Sequence, residues 1–165
     1  MSRHYTEAIA VGTLTGVALF ASGKLLKSIG DKIGVPIGHG RIHSEKRERF
    51  IEEHPVASFL GAVPLVPIAE EVLWRYIPAR LAEKYPARAN SIKLGSAVLF
   101  AAQHSGPDAL PVNHFLSGMA FEKMRERYGL SASITAHSVH NALASVDYIR
   151  QEKEAHYPSI ETADE

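Results

Sequence analysis

The chain has 165 residues, and its 18 basic and 18 acidic side chains give a formal net charge of zero. This length suits one domain, or a core with tails, and the balanced charge gives no indication of a nucleic-acid partner. The sequence contains no cysteine, which excludes disulfide bonds and thiolate chemistry.

Apolar residues are gathered in separate runs, although the mean hydropathy is slightly negative. Five stretches contain no Asp, Glu, Lys or Arg: 8–23, 55–69, 94–107, 109–121 and 128–146. A membrane-spanning helix needs about 20 mostly apolar residues, and most of these runs are shorter. They suit either buried core helices or short spans, in which flanking Lys and Arg snorkel or the bilayer thins.

The first run predicts a helix over residues 5–28 that stays in the protein. Its leading segment, SRHYTE, and its small-residue end, FASG, make a poor signal peptide. The segment 24–49 carries seven basic and three acidic side chains. It is either a cytoplasmic flank of a membrane anchor, by the positive-inside rule, or a solvated charged helix.

The remaining elements are also predicted to be helical, with Pro and Gly at their boundaries. After a Gly/Pro-rich connection at 33–40, the predicted helices cover 43–53, a segment from Pro67 to before Pro86, 88–104, 110–127 and 131–150. No run alternates as a β-strand would. The predicted fold class is therefore all-α, a multi-helix transmembrane bundle with short spans.

Three parts follow from this reading. They are an N-terminal helix with a charged amphipathic segment, a core, and a polar tail that is frayed or disordered, with boundaries at 1–54, 55–150 and 151–165.

Polar side chains recur at helical spacing inside the apolar runs. The pairs lie four residues apart, so each pair shares one helix face: Glu71 with Arg75, Phe100 with His104, and His137 with Asn141. Glu70 is rotated by about 100° from Glu71, so it can face a cavity while its neighbour pairs with Arg75.

Together these residues can supply a carboxylate, two imidazoles and an amide to one pocket. A carboxylate beside an imidazole can hold and deprotonate a water molecule, and a second imidazole with an amide can donate to a developing oxyanion. These are the parts needed to hydrolyse a peptide bond. Taken singly, each pair is more often an ordinary ion pair, a core histidine or a polar seam between helices.

The three motifs and their order resemble a known family. EEVLWR (70–75), FAAQH (100–104) and HSVHN (137–141) match EExxxR, FxxxH and HxxxN, and the linking stretch HFLSGMAFEKMRERYGLSASITAH is also similar. The chain resembles the CPBP family over about 55–146. This family comprises CAAX prenyl proteases of the Ras-converting type and bacteriocin-processing, Abi-like membrane proteins.

The resemblance implies a multi-pass intramembrane glutamic endopeptidase that acts on a peptide or membrane-protein substrate within the lipid bilayer. It implies Glu70 as the general base on water, His104 as its assistant, and His137 with Asn141 as the oxyanion hole. Glu71 and Arg75 would support this geometry and Phe100 would pack beside His104, whereas His114 and His140 match no motif position.

Two other functions remain open at this point. One is a non-catalytic membrane scaffold or immunity protein of the same fold, and the other is a soluble zinc-dependent hydrolase. Glu and His side chains can bind zinc, but HExxH is absent, so no cofactor is expected and zinc is the less favoured alternative. The oligomeric state cannot be read from the sequence.

Overall fold

The computed structural model describes residues 2–37, 49–51, 53–105 and 110–156. Five long helices account for most of this part of the chain: α1 (Ser2–Ile33), α2 (Pro55–Lys84), α3 (Ala89–Gln103), α4 (Val112–Tyr128) and α5 (Leu130–His156). Pro86–Arg88 forms a short 3-10 turn between α2 and α3. The described residues contain no β-strand and only an isolated bridge between Ile37 and Leu110, so the all-α prediction is confirmed.

The helix bounds differ from the predicted ones mainly in length. α1 and α5 are both longer than expected, and α5 continues through 151–156, where the sequence suggested a frayed tail. The predicted helix at 43–53 and the rest of the tail lie largely outside the described residues.

Helix α2 is a composite of α-helical and π-helical turns. Proline lacks an N–H and its ring clashes with the carbonyl four residues back, so it interrupts an α-helix, and π turns can absorb such interruptions. Pro64 lies inside the first π segment, and Pro67 and Pro78 each stand in the first turn of an α-helical segment. The order is Pro55–Leu60 (α), Gly61–Leu65 (π), Val66–Glu71 (α), Val72–Tyr76 (π) and Ile77–Lys84 (α). This helix carries both glutamates of the first motif.

Helices α1 and α5 lie parallel and in close contact. A Cβ atom added at Gly12 would lie 2.7 Å from the Ala132 carbonyl oxygen, and one added at Gly16 would lie 2.5 Å from that of Ala136. Further along, Lys24 Nζ bonds Asp147 Oδ1 at 2.7 Å. The two glycines therefore let the backbones approach as small residues do in membrane helix pairs.

Consecutive helices run in opposite directions. Contacts between α2 and α3, and between α3 and α4, follow antiparallel order. They join the Trp74 carbonyl with Ser96, Glu70 with Gln103, Glu126 with Lys93, and His114 with His104. Helices α4 and α5 are joined by Gly129, whose φ of 87° favours glycine. The five described helices therefore form an up-and-down bundle.

Two ion pairs lie at the bundle end where α4 stops. There the Lys93 ammonium donates to Glu126 at 2.5 Å and holds the pKa of that carboxyl below its usual range. On the same turn, Glu122 accepts from Arg125 at 2.8 Å and raises the pKa of that guanidinium. Polar ends on an apolar bundle are the arrangement expected where a protein meets the membrane surface.

Two helices are long and apolar enough to cross a membrane, His4–Ile33 and Pro55–Lys84. Only 11% of the most apolar part of each is buried within the bundle. A core helix of a soluble protein would be mostly buried, so these apolar faces point outward instead.

Candidate active site

Glu70 lies where three helices meet. Its Oε1 accepts from Gln103 Nε2 at 3.0 Å and lies 3.6 Å from His104 Nε2, and its Oε2 lies 3.4 Å from His137 Nε2. Oε2 is buried and has no hydrogen-bond partner within the described part of the chain. The side chain is 18% exposed. The carboxylate is therefore oriented by α3 and α5 but keeps acceptor capacity for another molecule.

Glu71 is fully buried beside it. One carboxylate oxygen lies 3.0 Å from His137 Nδ1, and the other contacts the Ser133 hydroxyl and lies 3.9 Å from Arg75 Nε. The Ser133 hydroxyl also lies 3.0 Å from the Phe121 carbonyl. Adjacent glutamates thus have different surroundings, as their 100° separation on a helix requires: Glu71 is enclosed, whereas Glu70 borders solvent.

Arg75 folds back onto its own helix. Its Nη1 donates to the Trp74 carbonyl at 2.8 Å, and its guanidinium carbon lies 4.6 Å from the centre of the Phe100 ring. A Cβ on Gly118 would lie 3.2 Å from Arg75 Nη2. The arginine therefore occupies a space bounded by an aromatic face and a glycine, and its charge offsets one of the two carboxylates.

His104 caps the C-terminal end of α3, and its hydrogen bond determines which ring nitrogen faces Glu70. Nδ1 lies 2.8 Å from the Phe100 carbonyl oxygen. Because a carbonyl only accepts, Nδ1 carries the proton of this bond, and Nε2 of the neutral ring is an acceptor directed at Glu70. Two acceptors that face each other at 3.6 Å form a suitable place for a water molecule to donate both its protons.

Aromatic rings surround the histidines. His137 stacks on Phe121 with ring centres 4.6 Å apart, and the Phe100 ring lies 4.8 Å from that of His104 and 5.8 Å from that of His137. Phe100 and Phe121 belong to the apolar core of the bundle. The imidazoles are therefore held in fixed planes by packing as well as by hydrogen bonds.

The Asn141 side chain donates a hydrogen bond to the backbone of α2. Its Nδ2 donates to the Ala62 carbonyl at 3.0 Å, in the first π segment of α2. The structure thus brings Glu70, Glu71, His104 and His137 into one cluster, with Arg75 and Phe100 against it, and places the Asn141 amide on the backbone of α2. Its role in an oxyanion hole stays a prediction.

Three residues at the cluster were not predicted as site residues from the sequence, and one of them, His114, was set aside because it matches no motif position. His114 stacks on His104 with ring centres 4.4 Å apart and an interplanar angle of 12°, and Gln103 and Ser133 bond the two glutamates. Ser133 precedes His137 by four residues and so shares its helix face, which was a usable signal. His114 lies on another helix, and only the tertiary fold brings it to His104.

The described residues around Glu70 do not form a metal-ligand set. Among the described residues, no group of three or more His, Asp or Glu side chains is arranged to hold a metal ion. The cluster instead holds two carboxylates, one guanidinium and two imidazoles. Arg75 offsets one negative charge, and a carboxylate beside imidazoles suits acid–base chemistry on a bound water.

Comparison with known proteins identifies the family of the chain. A family model described as type II CAAX prenyl endopeptidase Rce1-like matches residues 52–143. No curated protein and no solved structure matches the chain. The family match covers more than half of the sequence and includes all three motifs, and its members are membrane-embedded proteases. The chain therefore belongs to the type II CAAX prenyl endopeptidase (Rce1-like) family.

Proposed function

We propose that this protein is a multi-pass intramembrane endopeptidase of the CPBP type, which hydrolyses a peptide bond with a water molecule activated by Glu70 and His104. The observation that carries the proposal is the pair of facing acceptors, Glu70 Oε1 and His104 Nε2, 3.6 Å apart at the open edge of a buried polar cluster. A water molecule that bridges the two acceptors from the open side would present its oxygen lone pairs to a substrate carbonyl.

The chemical steps follow from the positions of these groups. Glu70 takes a proton as the water oxygen attacks the carbonyl carbon, and His104 holds the water in place and shares its second proton. Glu70 then returns the proton to the amine as the C–N bond breaks, in the usual manner of a general base that becomes a general acid. The products are a carboxylate and an amine.

His137 is the nearest donor for the developing oxyanion. Its Nδ1 is bound to Glu71 at 3.0 Å, so its Nε2 faces the Glu70 side of the cluster. With Nδ1 donating to Glu71, Nε2 carries an N–H in the imidazolium form of the ring, and an N–H fixed in this direction stabilises negative charge where it forms. Asn141, the other predicted donor, bonds the Ala62 carbonyl with one of its two amide N–H groups.

The proposed substrate is a C-terminal CAAX segment of a prenylated protein, or another membrane-associated peptide. Support comes from the description of the matching family and from the outward-facing apolar helices. Helix α3 has 15 residues, about 22 Å at 1.5 Å per residue. This length is short of the roughly 30 Å hydrocarbon core, so the proposal includes local thinning of the bilayer at this helix.

The test is cleavage of a farnesylated CAAX peptide by purified protein in proteoliposomes. Glu70→Gln should lower kcat by about 10²-fold or more, the contribution expected of a general base. Glu83→Gln is the matched control, because Glu83 lies on the same helix but pairs with Arg80 at the surface. Cleavage by Glu70→Gln at the wild-type rate would refute the catalytic assignment.

Membrane integration is tested separately by washing membranes with alkaline carbonate. An integral protein stays in the pellet, and release into the supernatant would contradict a multi-pass arrangement.

A further inference from the structure

The Ala62 carbonyl of α2 accepts a hydrogen bond from a side chain of α5. In the first π segment the Val66 N–H donates to the Gly61 carbonyl, five residues back. In the same register, the donor to the Ala62 carbonyl would be the N–H of residue 67, which is proline and has none. Asn141 Nδ2 donates to this carbonyl at 3.0 Å, so α5 supplies the hydrogen bond that Pro67 removes.

The Trp74 carbonyl, on the other side of the glutamates, also accepts hydrogen bonds from side chains. That oxygen accepts from Ser96 Oγ of α3 at 2.6 Å and from Arg75 Nη1 at 2.8 Å. Side chains of α3 and α5 therefore donate hydrogen bonds to carbonyls of α2 on both sides of Glu70.

Such hydrogen bonds fix position as well as satisfying the backbone. In an apolar surrounding an unpaired carbonyl is costly, so the helix is held where the donor can reach it. The Asn141 bond sets how α2 sits against α5, and α5 also carries His137, whose Nε2 lies 3.4 Å from Glu70. A shift of one helix against the other would change that distance directly.

We infer that Asn141 is a positioning residue, which places Glu70 against His137 by satisfying the Ala62 carbonyl left without a donor by Pro67. Its effect on catalysis rests on the proposed function. The inference gives Asn141 a role through α2, which uses one of its two amide N–H groups.

The test uses rescue by a restored backbone donor. Asn141→Ala should lower kcat by about 10- to 100-fold with KM little changed, since small misplacements of catalytic groups cost about this much. Pro67→Ala restores an N–H aimed at the Ala62 carbonyl, so adding Asn141→Ala to Pro67→Ala should lower kcat by less than about threefold. Adding it to Pro64→Ala should give the full loss, because that N–H points to a carbonyl earlier in α2.

Loss of the same size in the Pro67→Ala and wild-type backgrounds would overturn the inference, and would instead fit a direct oxyanion contact. If Asn141→Ala does not fold by itself, Asn141→Leu keeps the side-chain size without a donor, and the same rescue criterion applies.

A second readout does not depend on catalysis. The shift in unfolding temperature caused by Asn141→Ala in detergent should shrink in the Pro67→Ala background and persist in the Pro64→Ala background. If the wild type fails to cleave the peptide, the proposed function fails. This cycle still decides whether Asn141 and Pro67 are coupled, and shifts that simply add would overturn the inference.

Discussion

The contact of α1 with α5 provides a sharp test of the fold, because Gly16 has no room for a side chain. A Cβ there would lie 2.5 Å from the Ala136 carbonyl oxygen and 2.8 Å from the Val139 Cβ, whereas ordinary contacts begin at 3.4 Å. The difference, 3.4 minus 2.5, is 0.9 Å. Gly16→Ala therefore forces α1 and α5 apart by about this distance.

Overpacking of this kind costs about 1–3 kcal/mol. The affected residue of α5, Ala136, immediately precedes His137, so the shift should also reach the cluster of His137 with Glu70 and Glu71. We expect Gly16→Ala to lower the unfolding temperature in detergent and to reduce peptide cleavage by about 10- to 100-fold, the scale associated with sub-ångström to 1 Å misplacement.

Gly95→Ala is the matched control. Gly95 also lies in a helix, but nothing is within 4 Å of a Cβ added there. Alanine is preferred to glycine in a helix by about 0.5–1 kcal/mol, so this variant should be as stable as the wild type or slightly more so. Equal unfolding temperatures and activities for Gly16→Ala and Gly95→Ala would refute the close packing of α1 on α5.

Three further outcomes follow from the site. Gly118→Val should reduce cleavage by about tenfold or more, because even a Cβ would lie 3.2 Å from both Arg75 Nη2 and Phe100 Cδ1; wild-type kinetics would contradict this. Ser133→Ala removes a donor from buried Glu71 and should cost about 1–3 kcal/mol in denaturant unfolding; an unchanged midpoint would argue against the contact. Treatment with EDTA followed by desalting should leave cleavage unchanged, since the described residues offer no metal-ligand group; activity restored only by added zinc would overturn the glutamate mechanism.

Helical spacing predicted much of the local structure. Glu71 and Arg75 are four residues apart, and Arg75 Nε lies 3.9 Å from Glu71 Oε2. Pro67 stands in the first turn of an α-helical segment, as predicted. Such features depend on the geometry within a single helix, so the spacing of residues in the sequence predicts them.

Contacts between helices could not be predicted from the spacing of residues in the sequence. Nothing in the spacing of Asn141 indicates that its partner is the Ala62 carbonyl, because this depends on the π register of α2 and on how α2 lies against α5. Likewise Gly12 and Gly16 belong to a helix outside the family match, and their role becomes visible only when α5 is placed beside them.

The five described helices alternate in direction, so the start of α1 and the end of α5 lie at opposite ends of the bundle. Helix α1 begins beside the charged turn that ends α4, and α5 ends at the opposite face, where Lys24 meets Asp147. In a bilayer crossed by every helix, His4 and Asp147 would therefore face different compartments. Because the natural sequence has no cysteine, a thiol introduced at either position would be the only target for a membrane-impermeant maleimide.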